Sequence, residues 1–102
     1  MKYNKIRNYE LAGINNTMFN TRDRDKIFES LKNYKLINDN MLILSFESFF
    51  NRNSRIFLTR NTDDWYYVRH IINSDGGRSI HDVYQCDQLD GLIECLKFVE
   101  WV

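Results

Sequence analysis

The 102-residue chain has no proline and a single alanine, Ala12. Without proline, turns must be carried by Asn, Asp, Ser and Gly, which bond to their own backbone or tolerate positive φ. No stretch approaches 18 uncharged apolar residues, so a transmembrane helix is excluded. The opening MKYNKIRNYELAG has no apolar h-region, so no signal peptide is expected. The expected setting is intracellular and soluble, with no membrane partner. There are only two cysteines, Cys86 and Cys95, and two histidines, His70 and His81. No CxxC occurs. In an intracellular chain the cysteines read as free thiols, and the ligand supply is too small for a structural zinc site. No metal and no cofactor are expected.

Net charge is also missing, because 14 Lys and Arg balance 14 Asp and Glu. The distribution is uneven. Residues 1–35 carry eight bases against four acids, +4, whereas residues 61–102 carry three bases against eight acids, −5. Either the two segments meet in the fold and neutralise each other, or they leave a dipolar surface that orients a partner. The abundance of Asn, Lys, Ile, Tyr and Phe reflects AT-rich codons. A virus, phage, organelle or AT-rich microbe produces that bias, and a viral accessory protein fits the size.

Hydrophobic residues make up 43 % and aromatics 15 %, enough for one folded domain over 1–102 with a small core. Residues 1–19 are indistinct, with room for a short strand in IRNYELAGI. A helix is expected over 20–37. Asn20 or Thr21 caps it, Asp23 suits the dipole of its first turn, and Ile27, Phe28, Leu31 and Tyr34 recur at helical spacing. Four extended runs follow within 41–86, separated by the turn-like tetrads NRNS, NTDD and SDGG, and short loops imply antiparallel neighbours. A second helix is expected over 87–101, with Asp87 at its N-cap and Leu89, Leu92, Ile93, Leu96 and Val99 in one stripe. The fold class is α+β: a two-layer sandwich in which a four-stranded antiparallel meander is flanked in sequence by the two helices.

Treating each tetrad as a four-residue turn sets a register. Arg69 then faces Asp82, His70 faces His81, Val68 faces Val83 and Tyr67 faces Tyr84. One sheet face gathers Trp65, Tyr67, Arg69, Tyr84 and Arg60, with Ile56 and Leu58. The other gathers the two histidines, Leu44, Phe46, Phe57, Tyr66, Val68 and Val83. Both faces are largely apolar, and two helices cover only one of them. The second face calls for the N-terminal segment, another subunit or a partner, because monomers rarely expose a large apolar patch.

Candidate chemistry is sparse. His70 and His81 as a cross-strand pair offer a metal half-site or a general acid–base, yet no acid or Cys joins them. Cys86 precedes a helix N-terminus, which lowers thiol pKa, but Asp87 and Asp90 oppose a thiolate, so a buried Cys86 is expected, with Cys95 in the core. Arginines among aromatics (Arg52, Arg55, Arg60, Trp65, Tyr67, Arg69) suit single-stranded nucleic acid. The sequence pI of about 6.7 opposes that. The leading expectation is a small non-enzymatic interaction protein that binds itself, as a dimer, or another protein through Trp65, Tyr67, Arg69, Tyr84 and Arg60. The alternatives are a single-stranded nucleic-acid-binding module or an enzyme using His70, His81 or Cys86.

Overall fold

The computed structural model describes residues 2–7, 16–40, 42–73 and 79–98, with the backbone alone for 79–81 and 98. The elements in order are β1 (Tyr3–Ile6), β2 (Asn16–Thr17), α1 (Thr21–Ser30), β3 (Tyr34–Asp39), β4 (Ile43–Ser48), β5 (Ser54–Asn61), β6 (Trp65–Asn73), β7 (Ser79–Asp87) and α2 (Gln88–Phe98). The fold is α+β. The sheet has seven strands in the order β1-β7-β6-β5-β4-β3, with β2 paired to the end of β5, and β3 to β7 form a meander. All pairings are antiparallel.

Helix α1 starts as expected. The Asn20 side chain accepts from the Asp23 amide at 2.8 Å, a good N-cap. The helix ends at Ser30, not at residue 37. Leu31 leaves helical geometry and the chain turns into β3, where Tyr34 and Leu36 pair with Ser48 and Phe46 of β4. The apolar spacing that suggests a longer helix has a real cause. Ile27, Leu31 and Tyr34 are all buried, but Tyr34 enters the core from a strand. Cross-strand pairing overrides the helical period there.

The register differs from the one implied by the tetrads. Asn73 pairs with Ser79, Arg60 with Tyr66 and Glu47 with Arg55. Strands β4 and β6 present the expected residues to the core, while β5 and β7 are inverted. Ile56 and Leu58 face the core, not Phe57. His70 lies opposite Asp82 and not His81, which pairs with Ile71; Arg69 lies opposite Val83, Tyr67 opposite Gln85 and Val68 opposite Tyr84. The observed register brings Cys86, not Gln85, beneath α2, where an apolar environment favours it.

Both helices pack on one sheet face. The core joins Ile27 and Leu31 of α1 to Leu44, Phe46, Ile56, Leu58, Tyr66, Val68 and Cys86 of the sheet and to Leu92, Cys95 and Leu96 of α2. Deep in this contact, the Tyr66 hydroxyl donates to Asp23 Oδ2 at 2.7 Å and ties the start of α1 to β6. The basic N-terminal segment does meet the acidic C-terminal third: Lys5 lies 2.9 Å from Asp82 and Lys2 lies 3.9 Å from Glu94.

Gly91 marks a tight junction between α2 and the start of β1. A Cβ there would lie 2.5 Å from the Lys2 carbonyl oxygen, the same oxygen that accepts from the Asp87 amide at 2.7 Å. An exposed helical glycine replaced by alanine gains about 1 kcal/mol. Here Gly91→Ala is expected to lose about 1–2 kcal/mol instead, because overpacking against backbone outweighs helix propensity. The urea midpoint of the variant measures the sign.

Candidate functional site

The five residues expected to form a sheet-face site separate. Trp65, Tyr67 and Arg69 share the face of β6 that points away from the helices. Arg60 and Tyr84 lie on the helix-covered side. The Arg60 guanidinium sits 5.9 Å from the Tyr66 ring centroid and pairs with Asp64, and Tyr84 meets Tyr3 edge-on at 6.3 Å. Tyr67 is only 5 % exposed. Its hydroxyl accepts from Gln85 Nε2 at 3.2 Å and from Asn61 Nδ2 at 3.5 Å. Asn61 Oδ1 in turn accepts from the Asp63 and Trp65 amides at 3.0 and 2.9 Å, bracing a turn in which Asp64 takes φ 62°. Tyr67 is therefore a buried strut. Val83, 1 % exposed, is also buried on this second face, with Ser45 and Asn61. It is not the open apolar surface that two helices on one side suggest.

The other candidates resolve into core chemistry. His70 is buried, and its Nε2 shares a 2.9 Å hydrogen bond with Ser54 Oγ, which shares a 3.1 Å bond with the Tyr34 hydroxyl. A serine against a histidine has the form of an activated nucleophile. Ser54, however, is fully buried, so no substrate reaches its Oγ in this conformation. Cys86 lies in β7 against Cys95 of α2, and both are free buried thiols. The hydrogen bond with Cys95 and burial both push the Cys86 thiol up, so it stays protonated.

Exposed apolar surface is concentrated elsewhere. Among the described residues, every large hydrophobic side chain exposed by more than a third, apart from Met18, lies on or beside β3: Phe28, Leu36, Ile37, Leu42, Phe49 and Phe50. Phe28 of α1 stacks edge-on against Phe46 at 5.9 Å, and with Leu31, Tyr34 and Leu36 the pair lines an apolar cleft of about 240 Å³. Phe49 and Phe50, 60 % and 83 % exposed, form the tip of the turn into β5. That tip is fixed. Ser48 Oγ accepts from the Phe50 and Asn51 amides at 3.1 and 3.2 Å, and the Phe49 amide donates to the Asn33 carbonyl at 3.0 Å. Phe50, Leu31, Tyr34 and Leu96 also line an open cleft of about 580 Å³ with Lys32 and Lys97 at its border.

Comparison with protein-family models, with curated proteins and with solved structures gives no match. Among the described residues, no helix is long and apolar enough to cross a membrane.

The sequence does hold a signal for this surface. Two adjacent phenylalanines immediately before a turn cannot both point inward from a strand end.

Two outcomes follow from the buried polar groups. Ser54→Ala removes the oxygen shared by Tyr34 and His70 and should cost about 1–3 kcal/mol in chemical denaturation. Burial raises the pKa of Tyr34, Tyr66 and Tyr84, and the Asp23 bond adds to the effect at Tyr66. An unfolded tyrosine ionises near pH 10.0. The stability these groups contribute is full below that value and is lost as pH rises through the folded values. The urea midpoint should therefore fall across this range in the wild type and fall less steeply in Tyr66→Phe.

Proposed function

We propose that the chain is a small non-enzymatic interaction protein that binds a protein surface along β3. The observation that carries this is the run of exposed apolar side chains from Phe28 through Leu36, Ile37 and Leu42 to Phe49 and Phe50, on a fixed backbone. A folded chain that keeps six such side chains in water along one edge strand and its flanking turns gives up burial energy, and exposed apolar surface of this kind marks interaction sites. Pre-organisation of the Phe49–Phe50 tip lowers the entropy lost on docking.

Binding of single-stranded nucleic acid is the second reading. Phe57, Trp65 and Arg69, partly exposed on the second sheet face, favour it. Two further arginines that it would use are already engaged, Arg55 with Glu47 at 3.8 Å and Arg60 with Asp64. That weakens their pull on a phosphate backbone.

The test is affinity capture with the tagged chain, with and without nuclease, beside the double variant Phe49→Ser/Phe50→Ser. Both side chains are exposed, so the variant should keep the wild-type circular dichroism. A protein retained by the wild type after nuclease, and reduced at least about tenfold in the variant, supports the proposal. Equal retention by both chains sinks the β3 surface, and loss of all bound material after nuclease favours the nucleic-acid reading.

A further inference from the structure

We infer that the cleft bounded by the ends of α1 and α2 and by the β4–β5 turn binds a small organic anion, with its apolar body against Phe50 and its anionic group at Lys32 and Lys97. The site is separate from the β3 surface, with which it shares Phe50. At about 580 Å³ the cleft lies within the range of roughly 300–1,000 Å³ that takes small ligands. Such sites set an apolar body against hydrophobic walls and fix it with a few polar groups.

The apolar part is built and held in place. Leu31, Tyr34 and Leu96 are buried core residues whose outer edges line the cleft. Phe50 is 83 % exposed, on a backbone fixed by the bond from its amide to Ser48 Oγ. Its ring offers a face on which a flat apolar body can stack.

The polar part favours an anion. Lys32 and Lys97 line this cleft and also the neighbouring one of about 590 Å³ between α1 and α2. The two lysines therefore stand on the helix side of the cleft, and Phe50, which lines the first cleft alone, stands on the turn side. Neither lysine makes an ion pair among the described residues. Lys97 lies in the last turn of α2, where the helix dipole favours a cation, but that attraction leaves its N–H donors to be used. Glu29 is the acid that lines the same cleft, so bases lead by two to one. A cationic ligand would meet two ammonium groups for one carboxylate, and a wholly apolar one would desolvate them without return. Ser48, 7 % exposed, adds a donor. Its oxygen accepts from the Phe50 and Asn51 amides, which occupies both lone pairs, and its hydroxyl hydrogen has no acceptor among the described residues.

The test uses anilinonaphthalene sulfonate, which joins an apolar body to an anionic group, and the neutral phenylnaphthylamine, which lacks that group. Fluorescence titration of the full chain gives both affinities. The sulfonate should bind at least about tenfold more tightly than the neutral probe, and added salt should weaken the sulfonate alone. Amide resonances of residues 30–33, 48–51 and 96–97 should move on binding. Lys32→Glu/Lys97→Glu should weaken the sulfonate at least about tenfold with unchanged circular dichroism, and Lys32→Arg/Lys97→Arg should retain it. Arg22→Glu/Lys35→Glu makes the same change in net charge outside the cleft and should bind as the wild type does. Naphthoate and naphthyl phosphate, added as competitors, distinguish a carboxylate from a phosphate as the anionic group; displacement by either supports the inference. Equal affinity for the charged and neutral probes overturns it. So do equal weakening by the two charge-reversed variants, resonance changes confined to β3, and displacement by neither competitor. None of these results alters the capture test of the β3 surface.

Discussion

Side chains alternate along a strand, so the number of residues in each turn, odd or even, decides which half of the next strand is buried. In this sheet all the connections of the β4–β7 meander are odd. Five residues separate β4 from β5, three separate β5 from β6, and five separate β6 from β7. The helix-covered face is consequently built from even-numbered positions throughout: Leu44 and Phe46, Ile56 and Leu58, Tyr66 and Val68, Tyr84 and Cys86. Changing one of these turns by a single residue would exchange Ile56 and Leu58 for Phe57 and Thr59, or Cys86 for Gln85.

The same parity carries polar residues inward. Ser54, Arg60, His70 and Asp82 are even-numbered members of these strands, and each must be accommodated on the covered side. Ser54 and His70 bond to each other and to Tyr34, Arg60 lies over Tyr66 and pairs with Asp64, and Asp82 pairs with Lys5 at the β1 edge. A serine beside a histidine here follows from strand alternation, with the bond offsetting the desolvation of two polar groups. Asp23 is a similar case, a buried carboxylate held by the Tyr66 hydroxyl. Such bonds stabilise less than apolar contacts of equal size, but leaving them unmade would cost more. The Asp23–Tyr66 bond ties the start of α1 to β6, on the helix that carries Phe28 beside β3.

The elements legible in the sequence are those governed by local chemistry. The Asn20 cap, the α2 stripe over Leu89, Leu92, Ile93 and Leu96 and the four runs that form β4 to β7 rest on short-range preferences, and they stand; Val99 and the expected end of the helix at 101 lie outside the described residues. Strand β3 is hidden, because Tyr34 continues the spacing of Ile27 and Leu31 and only its pairing with Ser48 shows it to be extended. The faces of β5 and β7 are hidden for a different reason. Asn and Asp tetrads announce a turn but not whether the last turn residue joins the strand, and that one residue inverts the face. Trp65, Tyr67 and Arg69 do share a face, as alternation requires. Nothing in their sequence tells that the Tyr67 hydroxyl is taken up by Gln85 and Asn61, since those partners come from neighbouring strands.

The two edges of the sheet then differ in kind. β1 is short, carries Lys5 and has Lys2 and Arg7 at its two ends, a surface suited to staying in water. β3 is longer, and its exposed residues mix apolar and charged side chains along the edge while two phenylalanines are held rigid at one end. Apolar groups left at a strand edge are a liability unless something covers them, and a bulge at Ile37 limits that liability without removing it. On the second face Tyr67 and Val83 are buried, while Phe57 and Trp65 stay partly exposed. On the reading proposed above, recognition falls along the β3 edge, where the sheet ends and Phe28 of α1 stands beside Leu36.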